Sequence, residues 1–346
     1  MKTKAAVLYQ LNTPLVIEEL EVPPLKRGQV LVKILCTGIC GAQYNEIIGL
    51  KGPDRFLPHM MGHEASAIVL DTGEGVTKVK KDDYVALSWI KSTGLDGINT
   101  QFRKGDVLIN AGGVTTFTEY SVVSENRVTR IPRELPPDVA AIIGCAVLTG
   151  AGIVDNTLKA KKGQSIAVFG AGGIGASVIL AARRAGCSPI IALDISANKL
   201  ERAAALGADQ VIPAQGDVVA AIRKIVVRGV DFSVDASGSR LAMEAAFAAI
   251  HDQGMCVIAG NLGKDEKISL HPFELIKGKR IVGTWGGESL PERDIPRHVQ
   301  AILNERSPVG RLITHHFRLD QINHAFEVLK SGQAGRIVLD IAALKG

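Results

Sequence analysis

The chain has 346 residues, enough for two domains that each bury a core, and its 46% apolar and 22% charged residues exclude a disordered or fibrous protein. A formal charge of +5, spread along the chain apart from short clusters such as Lys78-Val-Lys-Lys81 and Lys277-Gly-Lys-Arg280, excludes the concentrated basic face of a nucleic-acid binder. Five cysteines, odd and sparse, exclude a disulfide framework; no segment approaches the roughly 20 apolar residues of a membrane helix, so a soluble, cytoplasmic protein in a reducing compartment is expected. In chain order, short strands are predicted at 5–8, 29–35, 65–70 and 84–87, split by glycine and proline, the pattern of a compact β-rich barrel. The stretch 91–113 reads as an irregular excursion.

From about Gly163 the pattern changes to strand, glycine turn and helix, repeated: strand 165–169, helix 174–186, strand 189–194, helix 197–206. Strands at 232–235, 255–259 and 280–283, with a helix near 240–250, continue a doubly wound parallel sheet. A tail helix at 320–329 and strand at 337–341 are expected to return to the first domain.

The strand at 165–169 runs into Gly170-Ala-Gly-Gly-Ile-Gly175 and then an apolar helix. In a dinucleotide site such a loop makes the tight turn at Gly170, brings backbone close to pyrophosphate at Gly172, Gly173 and Ile174, and allows close helix packing at Gly175. The helix N-terminus then faces the phosphates. Asp194, about 20 residues on and at the end of the next strand, can accept hydrogen bonds from the adenosine ribose and repel a 2′-phosphate, which favours NAD. Lys199 can reach the same ribose. The competing reading makes Asp194 a cap for the 197–206 helix.

Cys40, His63 in Gly62-His63-Glu64, and Cys145 form a thiolate, imidazole, thiolate set. Zn²⁺ favours such donors, and three protein ligands leave the fourth position open, as a catalytic site requires. The order Cys40, Gly-His-Glu, Gly144-Cys145, Gly170 to Gly175 and Asp194 resembles the zinc-dependent medium-chain alcohol dehydrogenase family over nearly the whole chain. The segment Ile142-Ile-Gly-Cys-Ala-Val-Leu-Thr-Gly150 is its most specific part.

The resemblance implies an α/β protein: a GroES-like β-barrel catalytic domain from residues 1–152 and 287–346, and a Rossmann cofactor domain at 153–286. It further implies that Cys40, His63 and Cys145 are zinc ligands and that Glu64 approaches the metal during ligand exchange. Thr149 would lie near the nicotinamide, Arg336 on the cofactor pyrophosphate, and Trp89 against the substrate. The activity implied is hydride transfer between NAD and a small alcohol or carbonyl, with a polyol, sugar or cyclitol as plausible as an aryl or alkyl alcohol, in a homodimer or homotetramer.

Two departures stand out. The 91–113 segment holds none of the four cysteines that bind a structural zinc in many family members, so one catalytic zinc alone is expected. The family's hydroxyl after the first ligand, which starts a proton relay, is here Ala42, and its acidic neighbour is Gln43, a neutral group that could still hydrogen-bond His63. These departures keep two alternatives open: a zinc-free, NADPH-dependent quinone or enone reductase, and a non-catalytic NADH-binding protein.

Overall fold

A computed structural model describes residues 1–304 and 307–342. The chain forms two compact units. The first comprises Met1–Cys145, Leu290–Ser331 and the chain from Arg336 onward; the second comprises Ala146–Ser289 and Gly332–Gly335.

In the first unit the strands are β1 (Lys2–Leu8), β2 (Val16–Glu21), β3 (Gln29–Ile39), β4 (His59–Met60), β5 (Ala65–Thr72), β6 (Tyr84–Leu87), β7 (Thr100–Lys104), β8 (Val107–Gly112), β9 (Tyr120–Ser124) and β10 (Val128–Arg130). Helix α1 (Gly41–Ile47) follows β3, and α2 (Pro137–Ile142) follows β10. Strands β1, β2, β7, β8 and β4 close a barrel around Ala5, Val7, Leu20, Phe102 and Ile109. The 91–113 stretch is therefore not irregular throughout: 100–112 is a hairpin of the barrel. Its inward positions, Phe102 and Ile109, are fully buried while the polar residues beside them face out, the period-two pattern of a half-buried strand.

Beyond α2 the helical run continues to Leu158, through α3 (Leu148–Gly152). This corrects the expectation that no segment is apolar enough to span a membrane. Pro137–Leu158 is 22 residues with a mean hydropathy of 1.8 in its most apolar window. That window is 89% buried in the protein, and burial in a core accounts for its composition.

The second unit carries β11 (Ile166–Phe169), α4 (Gly173–Arg184), β12 (Ile190–Asp194), α5 (Ala197–Ala205), β13 (Gln210–Pro213), α6 (Val218–Ile225), β14 (Val230–Asp235), α7 (Arg240–Ala249), β15 (Ile250–Ile258), α8 (Pro272–Ile276) and β16 (Arg280–Gly283). Its six strands pair in the order β13-β12-β11-β14-β15-β16, all parallel. That is the doubly wound order, with the switch point beside β11. Phe169, Ile191, Leu193, Val230 and Phe247 fill the layer between sheet and helices.

The chain then re-enters the first unit with α9 (Pro291–Asn304), β17 (Ile313–Arg318), α10 (Ile322–Lys330) and β18 (Arg336–Asp340). Strand β18 pairs antiparallel with β3, so β3 is flanked by β5 on one side and β18 on the other.

Candidate active site

Sheet register brings the first two donors together. Strands β3 and β5 pair antiparallel with Thr37 opposite Ala65, and β3 ends in Cys40 as the N-cap of α1. Continuing the same register sets Ile39 opposite His63, directly beside Cys40. Gly62 makes the turn into His63 at φ +97°, where a Cβ would lie 2.3 Å from Thr116 Oγ1 and 2.6 Å from the Phe117 nitrogen. Only glycine fits that turn.

Cys145 arrives from the helical run, on a π-helical turn over Ile143–Val147. Its neighbour Gly144 lets the helix press on the end of β6: a Cβ there would sit 2.0 Å from the Leu87 carbonyl oxygen. Ser88 Oγ donates to the Gly144 carbonyl at 2.6 Å and locks the approach. The result is a cluster in which one donor atom each from Cys40, His63 and Cys145 lies within 4.8 Å of the others. Cys40 and Cys145 are buried, and His63 Nε2 is buried with no hydrogen-bond partner.

The two sulfurs share a hydrogen bond from Cys145 to Cys40, which holds the Cys40 thiol well below the ordinary range and pushes that of Cys145 well above it. The His63 imidazole reinforces the Cys40 shift, and the Trp89 side chain hydrogen-bonds Cys145. Tetrahedral coordination with metal–sulfur bonds of about 2.3 Å and metal–nitrogen bonds of about 2.0 Å sets the donors roughly 3.5–3.8 Å apart, inside the 4.8 Å within which this cluster lies. The donor set and its orphaned imidazole nitrogen fit a zinc ion.

Behind the cluster, Glu64 and Arg336 form a buried ion pair through Glu64 Oε1 and an Arg336 guanidinium nitrogen. Register explains their meeting. Extending the β3–β5 pairing puts Glu64 opposite Gly38, and extending the β3–β18 pairing puts Arg336 opposite Cys40. A Cβ on Gly38 would lie 2.4 Å from Glu64 Oε1, so the pair occupies the space that a side chain would fill. Glu64 Oε2 and Arg336 Nε have no partner.

Gln43 does not bond His63. Its Oε1 accepts from the Cys40 backbone N–H at 2.8 Å, and its Nε2 has no partner. Capping the strand-to-helix turn consumed the one acceptor the side chain has.

The glycine loop lies in the second unit, at the carboxyl end of β11. Gly170 has φ +92° and packs on Ser237, while a Cβ on Gly175 would lie 1.8 Å from the Gly170 carbonyl oxygen. A Cβ on Gly172, the N-cap of α4, would meet nothing within 4 Å. The loop is thus tight beneath and open above, where Gly173 and Ile174 begin the helix, the shape that admits a pyrophosphate. Asp194 is buried, its Oδ2 accepting from the Ala171 N–H at 2.8 Å and its Oδ1 from the Ser196 N–H at 2.9 Å. The carboxylate ties the end of β12 to the loop and caps the turn into α5, leaving one lone pair on each oxygen. Lys199 is half-buried on α5, and Thr149 is buried on α3. Gly175→Ala should raise the dissociation constant for NADH by at least about tenfold, measured by fluorescence titration, since the loop cannot keep its path around a methyl group.

Sequence reading missed a second group. Glu46, Asp54 and His59 offer donor atoms within 4.8 Å of one another, with His59 Nε2 2.9 Å from Asp54 Oδ2 and 3.8 Å from Glu46 Oε1. Its only sequence signal is three polar residues in a loop-rich stretch, which many surfaces share. Burial raises the Glu46 carboxyl above the usual range. Cys36, Cys187 and Cys256 are buried free thiols outside both groups.

Comparison with known proteins agrees with this architecture. Residues 26–133 match the alcohol dehydrogenase GroES-like domain, and residues 173–304 match the zinc-binding dehydrogenase family. An S-(hydroxymethyl)glutathione dehydrogenase of Synechocystis is 33% identical, the match covering 98% of this chain and all of that protein. Alcohol dehydrogenase class-P of Arabidopsis thaliana is 32% identical, covering 99% of this chain and 98% of that one. Among solved structures, benzyl alcohol dehydrogenase from Acinetobacter calcoaceticus superposes with a TM-score of 0.88 at 27% identity, over 99% of this chain and all of that one. An alcohol dehydrogenase zinc-binding domain protein from Burkholderia ambifaria does so at 0.89 and 29%, over 99% of both chains.

Proposed function

The chain belongs to the zinc-dependent medium-chain alcohol dehydrogenase family and is a zinc alcohol dehydrogenase-like oxidoreductase; from that premise we propose that it transfers hydride between NAD(H) and a small alcohol or carbonyl substrate, with one zinc held by Cys40, His63 and Cys145. The observation that carries this reading is the convergence of two sulfurs and an unpartnered imidazole nitrogen within 4.8 Å. When bound, zinc supplies Lewis acidity toward an oxygen, and the nicotinamide supplies the hydride acceptor.

The chain's own groups do the rest. The Arg336–Glu64 pair sets a positive charge behind Cys40, and Arg336 favours its thiolate. Glu64 Oε2, free of partners, is the oxygen that can approach the centre during ligand exchange. Trp89, hydrogen-bonded to Cys145 and so held beside the donor cluster, is the side chain assigned to the substrate in this reading. Ala42 offers no proton, so the hydroxyl relay of the family cannot start there.

In the second unit the open face over Gly172, Gly173 and Ile174 supports pyrophosphate binding, and the remaining lone pairs of Asp194 suit ribose hydroxyls rather than a 2′-phosphate. Lys199 and Thr149 complete the cofactor contacts. Arg336 was implied on the pyrophosphate; its buried pairing with Glu64 supports a supporting role at the metal centre. Five free cysteines suit a reducing, cytoplasmic setting, and a homodimer or homotetramer is the assembly to be tested by sedimentation.

Metal analysis with a panel of alcohols and NAD tests the reading: about one zinc per chain and NADH formation are expected. An active protein without zinc would instead be a quinone or enone reductase, and NADH binding without any turnover a non-catalytic protein. Asp194→Ala should narrow the preference for NAD over NADP by about tenfold, read as the ratio of kcat/KM values. A wild-type enzyme that prefers NADP would remove the role given to Asp194.

A further inference from the structure

We infer that Glu46, Asp54 and His59 bind a second divalent cation, Zn²⁺ by the chemistry of their donors, apart from the cysteine cluster. His59 Nε2 lies 2.9 Å from Asp54 Oδ2 and 3.8 Å from Glu46 Oε1, and the three residues offer donor atoms within 4.8 Å of one another. An ion about 2.1 Å from each atom would subtend roughly 90° across the shorter gap and roughly 130° across the longer, with water on its remaining position.

The other heteroatom of each inner ligand is already committed. His59 Nδ1 is 2.9 Å from the Met60 carbonyl oxygen, which can only accept, so Nδ1 carries the ring proton and Nε2 keeps its lone pair in the neutral imidazole. Asp54 Oδ1 accepts from the Phe56 N–H at 2.8 Å, which turns Oδ2 toward the ring. Ligands oriented by backbone bonds at their far atoms are what a metal site uses. His59 is 7% exposed and is held in the barrel on both sides, opposite Leu8 of β1 and Asn110 of β8. The half-exposed Glu46 side chain leaves an entry from solvent.

Charge points the same way. Two carboxylates converge on one imidazole, and among the described residues neither forms an ion pair with a lysine or arginine. A proton on Nε2 would serve Asp54 and leave Glu46 beyond hydrogen-bond reach, whereas a dication serves all three. The imidazole nitrogen selects against Mg²⁺ and Ca²⁺, which take oxygen ligands, and the lack of sulfur makes this site weaker for zinc than the Cys40, His63, Cys145 cluster. Desalted protein therefore keeps one ion, at the cysteines, and takes up the second only from solution. The second ion joins α1, which follows Cys40, to β4, which precedes His63, and so braces both flanks of the first centre without touching it.

Equilibrium dialysis of the zinc-loaded full chain against buffered free Zn²⁺ tests this: zinc content should rise from about one to about two per chain, and excess Mg²⁺ should not compete. Co²⁺ added to the zinc-loaded chain reports the donors, since nitrogen and oxygen ligands give weak visible bands without the sulfur-to-metal charge transfer that Cys40 or Cys145 would add. Glu46→Gln and Asp54→Asn keep the side-chain shapes; each should raise the dissociation constant of the second ion at least about tenfold and leave the first in place. Cys40→Ser should lose the first ion and still take up the second. The inference is overturned by a wild-type chain that saturates at one zinc, in which case His59 and Asp54 form a plain ion pair. Sulfur charge transfer on adding Co²⁺, competition by Mg²⁺, or a second uptake that neither substitution weakens overturns it equally.

Discussion

Cys40→Ser and His63→Ala should each drop zinc content from about one per chain to near zero and lower turnover by about 10³-fold, with the NADH dissociation constant almost unchanged. The magnitude follows from the chemistry lost. Lewis-acid stabilisation is worth several kcal/mol, and each 1.36 kcal/mol is a factor of ten in rate. Serine is close to cysteine in shape but a poor ligand for a soft ion, so Cys40→Ser separates coordination from packing. The cofactor should still bind because the glycine loop and Asp194 belong to the second unit, whereas all three donors belong to the first. Elemental analysis, steady-state rates and NADH titration on the same preparations decide the matter. Full activity in either variant would reject the ligand assignment.

Arg336→Met should cost about 3–5 kcal/mol of stability, the range found when one member of a buried ion pair is removed. Glu64 is fully buried and would be left charged without its partner. It cannot escape to solvent, because its carboxylate lies against the backbone of β3 at Gly38. The double variant Glu64→Gln with Arg336→Met should recover part of the loss, since no uncompensated charge remains. Denaturant midpoints for the two single variants and the double variant complete the cycle. A cost below about 1 kcal/mol for Arg336→Met would mean that the pair behaves as a screened surface pair.

The glycine loop and the alternation of strand and helix were legible because their signals are local. Gly170 must take φ +92°, Gly175 must clear a carbonyl, and apolar strands and an amphipathic helix follow within 40 residues. Strand β13 and helix α6 were not anticipated. The β13 side chains are exposed or half-buried at the sheet edge, and α6 is amphipathic but only eight residues long, too short for its period to stand out in the sequence. The hairpin of β7 and β8 was missed because the Ser, Gly and Asn before it read as loop, while its alternation is only five or six residues long.

The site divides the same way. Donor types nominated Cys40, His63 and Cys145 as a set, and the motifs around them, in the order that resembles the zinc alcohol dehydrogenase family, made them the expected ligands. Gln43 was expected to serve His63, and the geometry of the α1 cap turned its oxygen to Cys40 instead. Arg336 was implied on the cofactor, and its place opposite Cys40 follows from the pairing of β18 with β3, strands nearly 300 positions apart.

What the amino acids determined unaided was therefore the chemistry available: soft donors, a phosphate-sized loop and a carboxylate after the second strand. Which groups face one another was settled by the fold, since antiparallel register across β5, β3 and β18 aligns residues distant in the chain. The pairing of Glu64 with Arg336 comes from that alignment, and the free amide of Gln43 from the cap that opens α1. Register is a property of paired backbones and of the side chains they bury together, and no single segment carries it.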